Sequence, residues 1–380
     1  MLLKSIHRFR QMNKICLIFN TPSLYRKLIY SRIDQEYDCD WYFGDWDANV
    51  KGFDTTCLNH PVKFLHVNNP GKTWYSVNGV LSLLKDKSYD NYLMIGDAHD
   101  LSTWQMLILK NLIFRKKRIY FWTHGWYGKE SRIERMIKHF FYKMVDGVFL
   151  YGNHAKEVMI HEGFKGDNLY VIHNSLDYNA QLEIRNSIKP TNLYQDHFMN
   201  NNKNIVFLGR LTTVKRLDML LEALCLLKEL GESYNLTFVG DGIERINLEQ
   251  KALCLGIHEN VWFYGASYDE KENAEFVYNA DLCVSPGNVG LTAMHMLMFG
   301  TPVITHDCFE LQMPEFEAII PYKTGLFFKY GDVNDLCLKI KEWFKVNGGL
   351  RDDVRKSCYD EIDTQWNPDF QIKVLKSVFG

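Results

Sequence analysis

The feature that most constrains this chain is a repeated alternation of short apolar runs with longer helical patterns. One series of runs precedes residue 178 and includes KICLIFN at 14–20 and NYLMIGD at 91–97. A second series runs from NIVFLG at 204–209 to GLFFK at 325–329. Apolar runs separated by helices of crossover length predict parallel sheets covered on both faces. The sequence therefore predicts an α/β fold.

Two series of runs predict two doubly wound domains, and 380 residues exceed the length at which a single core usually stops growing. A polar, Asn-rich segment separates the series. The predicted parts are a first domain at 1–178, a linker at 179–203, a second domain at 204–358 and a helix at 359–380 that packs back on the first domain. Ligands of open α/β sheets bind at carboxyl strand ends, so the site is expected in the cleft between the domains.

Composition excludes several classes of protein. The formal net charge of −2 gives no general case for nucleic-acid binding. The nine cysteines form no C-x-x-C pair, which is typical of a reduced, intracellular protein without disulfides or a zinc site. Residues 1–14 are basic but lack a long apolar segment, so we expect no secretory signal. No apolar run approaches the roughly 20 residues of a membrane span. We therefore expect a cytoplasmic protein, either soluble or peripheral at the inner face of the membrane.

The stretch 110–143 has an unusual composition. It carries ten lysine or arginine residues against two glutamates, together with apolar residues such as Leu112, Ile113 and Phe140. Basic and apolar residues in combination are typical of segments that bind anionic membrane surfaces. The alternative is a solvated helix face beside ordinary core positions.

Two cations follow a strand in the motif FLGRLTTVKRLD, at 207–218. The strand ends at Gly209, Arg210 follows directly, and Lys215 precedes a helical pattern. A guanidinium fork and a compact ammonium suit a diphosphate whose charge grows as it leaves. Alternatively, both are solvated surface residues.

The stretch SPGNVGLTAMHMLMFGTPVITHD, at 285–307, predicts a strand end, a turn and an apolar helix that begins near Gly290. The amides of Gly290, Leu291 and Thr292 would then form an anion site at the helix N-terminus. The helix carries a single titratable residue, His295, and should be buried. Earlier in the chain, Gly265 ends the strand NVWFYG and could present backbone groups to a base.

Six motifs, taken in order along the chain, resemble those of the retaining nucleotide-sugar glycosyltransferases called glycosyl transferases group 1. They are GRLTTVKRLD, VGDGIER, NVWFYG, SPGNVGLTAMHMLMFGTPVITHD, MPEFE and TGLFF. The resemblance implies the GT-B fold, in which two Rossmann-like domains face each other across the active site. It also implies transfer of a sugar from a nucleoside diphosphate sugar to a hydroxyl of a glycan or lipid-linked acceptor. A role in bacterial capsule, O-antigen or lipopolysaccharide synthesis is the expected setting.

The resemblance also exposes two departures. The family carries two glutamates with seven residues between them, and their positions fall on Gly287 and His295. The first contacts the donor sugar and the second the ribose, so His295 is predicted to bind ribose, with a core histidine as the alternative. Asn288, Glu310 and Glu315 are the candidates to replace the first glutamate.

In the first domain, WTHGW places His124 at a strand end, where the family has a histidine beside the donor sugar. GDAHD places Asp97, His99 and Asp100 on the acceptor side, unless these residues only cap helices. The first strand-to-helix turn, FNTPSLYRK, lacks the glycines that the family usually has there.

No Asp-x-Asp motif stands where a metal-dependent transferase needs one, so we expect no metal and no cofactor. Arg210, Lys215 and the helix amides would stabilise the leaving diphosphate. The alternatives are a GT-B pseudoenzyme or nucleotide-sugar-binding scaffold, motivated by the missing glutamates, and a nucleotide-sugar 2-epimerase on the same fold. A nicotinamide dehydrogenase is disfavoured because no G-x-G-x-x-G follows the first strand.

Overall fold

The computed structural model describes residues 14–46 and 51–380. The expectation about a secretory signal concerns residues that lie almost entirely outside these ranges. The first domain contains a seven-stranded sheet in the order β3-β2-β1-β6-β7-β8-β9, with all neighbouring strands parallel. Its strands are β1 (Lys14–Phe19), β2 (Cys39–Gly44), β3 (Val62–Leu65), β6 (Tyr89–Ile95), β7 (Arg118–Thr123), β8 (Gly147–Leu150) and β9 (Leu169–Val171); β4 (Val67–Asn68) and β5 (Ser76–Val77) form a separate antiparallel pair.

Five helices connect these strands, and they cover both faces of the sheet. They are α1 (Lys27–Glu36), α2 (Val80–Lys85), α3 (Leu101–Leu112), α4 (Arg132–Lys143) and α5 (Asn153–His161). Two apolar clusters form the core, one on each face, and they meet at strand residues that alternate in direction, such as Ile18 and Phe19. This covering explains why the strands read as nearly continuous apolar runs.

The second domain contains a six-stranded parallel sheet in the order β12-β11-β10-β13-β14-β15. Its strands are β10 (Lys203–Leu208), β11 (Tyr234–Val239), β12 (Val261–Gly265), β13 (Leu282–Val284), β14 (Val303–His306) and β15 (Gly325–Phe328). The helices are α8 (Leu217–Glu229), α9 (Arg245–Cys254), α10 (Glu270–Asn279), α11 (Leu291–Met298), α12 (Val333–Asn347) and α13 (Arg351–Gln365). The predicted strands and crossover helices are confirmed to within a few residues at their ends.

The polar segment that was expected to be a linker contains two helices, α6 (Tyr178–Ser187) and α7 (Leu193–Phe198). Both pack on the second domain. Tyr194 is buried and donates a hydrogen bond from its hydroxyl to the carbonyl of Phe276 at 2.7 Å. Arg185 donates to both carboxylate oxygens of Asp363 on α13. These helices were missed because they are short and their few apolar side chains, among them Leu182, Ile184 and Leu193, form no broad apolar stripe within a polar segment.

The last helix, α14 (Pro368–Phe379), lies against the first domain. Ile372 and Leu375 belong to the same buried cluster as Trp41 of β2, and Lys376 pairs with Glu36 of α1 at 2.6 Å. The chain thus crosses between the domains twice, once after β9 and once between α13 and α14. Within the described ranges, no helix combines the length and the apolar composition that crossing a bilayer requires.

We predict that Leu375→Ala destabilises the first domain by about 2–5 kcal/mol, because Leu375 is buried in its core and the substitution leaves a cavity. Urea unfolding followed by tryptophan fluorescence measures the change. Lys373→Ala, two residues away on the exposed face of the same helix, is the control and should shift stability by less than about 0.5 kcal/mol. Equal effects of the two substitutions would show that α14 does not form part of this core.

Candidate active site

Close backbone packing shapes the carboxyl end of the second sheet. Gly209 follows β10 with φ +146° and donates its amide to the carbonyl of Val239 at 3.0 Å. A Cβ atom on Gly240 would lie 1.9 Å from the carbonyl oxygen of Gly209, so only glycine fits at 240. The loops after β10 and β11 are therefore held backbone to backbone, and Arg210 is placed at their rim.

Arg210 and Lys215 both lie at this rim, close enough for the charge of Arg210 to act on Lys215. Lys215 Nζ donates to the backbone oxygen and the side-chain oxygen of Asn288, at 2.6 and 3.0 Å. Burial lowers the pKa of Lys215, and the positive charge of Arg210 lowers it further. Arg210 is exposed, and among the described residues its guanidinium has no hydrogen-bond or ion-pair partner. The pair thus presents one fixed and one free cation.

Gly287 occupies a position where no side chain fits. A Cβ atom there would lie 2.0 Å from the carbonyl oxygen of Val214 and 2.7 Å from Cα of Lys215. The Gly287 amide donates to the carbonyl of Lys215 at 2.9 Å. The turn that carries Lys215 therefore packs directly on residue 287, which explains why a carboxylate cannot stand there in this chain.

Helix α11 begins where the sequence predicted, with Gly290 at φ +54°. In the part of the chain that the structure describes, the amides of Gly290, Leu291 and Thr292 have no hydrogen-bond acceptor. The Thr292 hydroxyl donates to the carbonyl of Leu208 at 3.4 Å, which ties the helix start to the end of β10. Unsatisfied amides at a helix N-terminus bind anions. The amides of Gly290, Leu291 and Thr292 lie at the carboxyl end of the second sheet, as do Arg210 and Lys215.

His295 is largely buried, and its contact is one that sequence reasoning missed. Its Nε2 lies 2.9 Å from Glu270 Oε1, an ion-pair distance without the alignment of a hydrogen bond. Glu270 is the first residue of α10 and also accepts from Gln181 of α6 at 2.8 Å. Burial would raise the pKa of Glu270, but the contacts with His295 and Gln181 bring it below its ordinary value.

Gly265, at φ +108°, accepts a hydrogen bond from the amide of Gly240 with its carbonyl.

In the first domain, His124 follows β7 and faces the cleft. Its Nδ1 is buried without a hydrogen-bond partner among the described residues. Burial lowers its pKa to about 4, with smaller contributions from Arg26 and Lys138, so the imidazole is neutral at physiological pH. A neutral imidazole offers one donor and one acceptor to a ligand.

Arg26 is a second residue that sequence reasoning missed. It is buried in the turn FNTPSLYRK, and its guanidinium donates to the hydroxyls of Tyr30 and Tyr151. The Tyr151 ring lies 4.7 Å from the ring of His124, centroid to centroid. The signal was present in the sequence, since a cation stands in the turn where the family has glycines. This cation has no carboxylate bonded to it within the described ranges.

The acceptor-side candidates have different surroundings. Asp100 caps α3: its carboxylate accepts from the Ser102 amide at 2.9 Å and from the Thr103 hydroxyl at 2.6 Å. Asp97 accepts from Tyr75 at 3.0 Å and from the amide and Nδ1 of His99 at 2.9 and 3.0 Å. Asp97 and Asp100 both line a mainly apolar cavity of about 140 Å³ at the ends of β1, β2 and β6. Asp100 is buried and caps α3, whereas the Asp97 side chain is partly exposed.

One group of described residues, Asp34, Cys39 and His60, has ligand atoms close enough to share a metal ion. The Asp34 carboxylate already accepts from Trp41 at 2.9 Å and from the Asn59 amide at 2.6 Å. Burial raises the pKa of the Cys39 thiol, which disfavours the thiolate that a metal needs. Cys39 begins β2, so the group lies at the amino ends of the strands, on the side of the sheet away from the cleft. Its geometry is that of a structural network around Asp34.

Comparison with known proteins adds an independent finding. Residues 191–360 match the family described as Glycosyl transferases group 1. A GDP-mannose-dependent alpha-(1-6)-phosphatidylinositol dimannoside mannosyltransferase of Mycobacterium tuberculosis is 34% identical over 103 residues. That alignment covers 26% of this chain and 26% of the relative, so the chain matches only about a quarter of the relative's length.

Solved structures resemble the whole chain in fold. The lipopolysaccharide outer core galactosyltransferase WaaB matches with TM-score 0.68 at 16% identity, over 96% of this chain and 99% of WaaB. HepE of Anabaena, solved with UDP, matches with the same TM-score, identity and coverage. A glycosyltransferase of Rickettsia africae matches with TM-score 0.71 at 14% identity, over 97% of this chain and 98% of that one. Residues 191–360 therefore resemble the group 1 glycosyltransferases, and the whole chain, with its two facing α/β domains, has the GT-B fold.

Proposed function

We propose that the protein transfers a sugar from a nucleoside diphosphate sugar to a hydroxyl of a glycan or lipid-linked acceptor, with retention at the anomeric carbon. The observation that carries the proposal is the convergence of Arg210, Lys215 and the free amides of α11 on one strand edge. Named relatives that act on mannose and galactose donors support the class of reaction. Synthesis of a bacterial surface polysaccharide is the setting we propose.

The proposed chemistry takes place in one cleft. The acceptor oxygen forms a bond to the anomeric carbon on the face that the phosphate oxygen leaves, and the acceptor proton passes to that phosphate oxygen. Arg210, Lys215 and the helix amides stabilise the charge that grows on the diphosphate, the role that a metal ion has in other transferases. Neutral His124 exchanges hydrogen bonds with sugar hydroxyls without adding a charge beside the reacting carbon.

A donor screen tests the proposal and separates it from its alternatives. Nucleoside diphosphate release is measured for UDP- and GDP-sugars, with and without glycan and lipid-linked acceptors, and the product anomer is read by NMR. We expect release that depends on the acceptor and a product with the donor's anomeric configuration. Release without an acceptor, with a 2-epimeric sugar as product, would favour an epimerase. No turnover of any donor, despite binding, would favour a pseudoenzyme.

Arg210→Ala and Lys215→Ala should each lower kcat by about 10²-fold or more, because each removes a charge that stabilises the transition state. Steady-state kinetics with the best donor of the screen measures the effect. Lys345→Ala, an exposed lysine on α12, is the control and should leave kcat unchanged. Near-normal turnover in both cleft variants would contradict the assignment.

We propose that His295 and Glu270 together hold the ribose of the donor. His295→Ala should weaken binding of the nucleoside diphosphate by about tenfold, in line with the loss of a charge-assisted contact, and should change kcat less. His295→Glu restores the family's residue but brings a second carboxylate up to Glu270, so we expect it to weaken binding as well. Calorimetric titration measures both, with the exposed His258→Ala as control. Tighter binding by His295→Glu would contradict a ribose site built on Glu270.

We further propose that α3 and α4 place the protein on an anionic membrane surface. Ile133, Met136 and Phe140 lie on one face of α4 and are 68, 57 and 61% exposed. Leu112 and Ile113, at the end of α3, are both 65% exposed. The two helices are neighbours, since Asn111 donates to the carbonyl of Met144 at 3.0 Å.

Basic residues accompany this apolar surface, although fewer than the sequence suggested. Lys110 pairs with Asp146 and Lys138 with Glu130, while Lys117 is buried and donates to backbone carbonyls. The basic residues that remain exposed are Arg115, Lys116, Arg118, Lys129, Arg132 and Lys143, together with Arg135, which pairs with Glu162. Exposed apolar side chains flanked by cations are complementary to anionic lipid headgroups and the acyl chains beneath them.

The triple substitution Ile133→Ser, Met136→Ser and Phe140→Ser should reduce co-sedimentation with phosphatidylglycerol-containing vesicles by about tenfold or more, because it removes the apolar anchor. Wild-type binding should fall at about 1 M salt, where the Debye length is about 3 Å. Leu338→Ser, an equally exposed leucine on α12, is the control and should bind like wild type. Wild-type binding that depends on neither lipid charge nor salt concentration would contradict the proposal that α3 and α4 bind an anionic membrane.

A further inference from the structure

A buried carboxylate with an unused oxygen lies between the two domains. Glu315, in the short 3-10 turn Pro314–Ala318, is 2% exposed. Its Oε1 accepts a hydrogen bond from the Asn174 side chain of the first domain at 3.0 Å. Its Oε2 is buried and has no hydrogen-bond partner among the described residues. Leaving a buried oxygen unpaired is unfavourable by about 1–3 kcal/mol, more for a charged group, so the position indicates a missing partner.

The surroundings of Glu315 belong to the candidate active site. Lys215 and Arg26 are near enough to lower its pKa, although burial dominates and raises it. The same carboxylate contributes to raising the pKa of Tyr127 and Tyr151, which flank His124 in the first domain. Its turn packs beneath α11, and Met313 lies against Gly290 at the helix start. Glu315 thus faces the place where the diphosphate and its sugar are proposed to bind.

The other candidates for a sugar-binding carboxylate or amide lack a buried, unpaired carboxylate oxygen. Gly287 admits no side chain, as the contacts of its backbone show. Asn288 holds Lys215 with both of its oxygens. Glu310 is exposed and lies against Cys308 Sγ at 3.4 Å. Among these positions, Glu315 combines a free carboxylate oxygen with a place in the cleft.

We propose that Glu315 accepts a hydrogen bond from a hydroxyl of the donor sugar, and so supplies from a different loop the carboxylate that Gly287 cannot. This inference rests on the proposed function. Because Oε2 is covered in the present arrangement, the sugar reaches it when the domains separate at Asn174. Glu315 therefore determines affinity for the sugar part of the donor and leaves the nucleotide part unaffected.

A neighbouring residue provides a matched control. Glu317 is two residues away and also bridges the domains, but its two oxygens accept the amides of Asn153 and His154, both at 2.6 Å. Glu317→Gln removes a charge from the same seam without touching the proposed sugar contact. A role for Glu315 in domain contact alone would make the two substitutions behave alike.

The test compares dissociation constants for UDP and GDP with those for UDP-glucose and GDP-mannose, by calorimetric titration of the full chain. Glu315→Gln should weaken the sugar nucleotide that wild type binds by about tenfold or more, the scale of a hydrogen bond to a charged group, and leave the diphosphate within about twofold. Glu315→Asp, which keeps the charge but shortens the reach, should show the same selective loss. Glu317→Gln should change the ratio of the two constants little.

The possible failures are distinct. Wild-type protein that binds none of the four nucleotides would overturn the proposed function, and with it this inference. Wild-type binding combined with equal losses for diphosphate and sugar nucleotide in Glu315→Gln and Glu315→Asp would overturn the inference alone. Unchanged sugar-nucleotide binding in both variants would overturn it too. Retained diphosphate binding shows that the variants are folded.

Discussion

A carboxylate contact joins the two sides of the cleft across the domain seam. The Glu317 carboxylate of the second domain accepts the amides of Asn153 and His154 at the start of α5 in the first domain. A carboxylate at a helix N-terminus satisfies unpaired amides and meets the positive end of the helix dipole. Burial raises the pKa of Glu317, while these amides lower it and so favour the charged form. Because this contact joins the carboxyl ends of both sheets, it brings His124 within the same cleft as Lys215 and Glu315.

Within the second domain, glycines allow the close backbone packing that fixes Lys215 and the start of α11. Gly240 lets the loop after β11 touch the backbone of Gly209, and Gly287 lets the Lys215 turn lie directly against the loop after β13. Backbone contacts of this kind position Lys215 and the α11 amides without relying on flexible side chains. The consequence is that residue 287 cannot carry a carboxylate. The close packing around Lys215 therefore excludes any side chain at residue 287, the position where the resemblance noted in the sequence would place a glutamate.

Much of the fold could be predicted from the sequence, because buried parallel strands are continuous apolar runs and the helices between them have crossover length. Arg210, Lys215 and the start of α11 were predictable for the same reason, since each follows a strand within a few residues. The helices α6 and α7 were not, because they are short, only a few apolar residues such as Leu182 and Tyr194 pack on the second domain, and their polar contacts reach distant residues such as Asp363. Glu270 and Asn174 were missed for a related reason. Each residue contacts a partner on a distant helix or loop, and the local sequence pattern does not predict such contacts.

The charges of the cleft are divided between its two sides in a way that suits the proposed transfer. The second domain presents Arg210 and Lys215 where a diphosphate is proposed to sit. In the first domain, Arg26 is buried against two tyrosine hydroxyls and His124, with a pKa near 4, is neutral. Since folding lowers the pKa of His124 from 6.5, the folded state binds fewer protons, and its contribution to stability is present above pH 6.5 and lost as pH falls towards 4. A charged imidazole there would compete with the second domain for the leaving phosphate. In the proposed transfer, a neutral His124 leaves the growing negative charge to Arg210, Lys215 and the amides of α11.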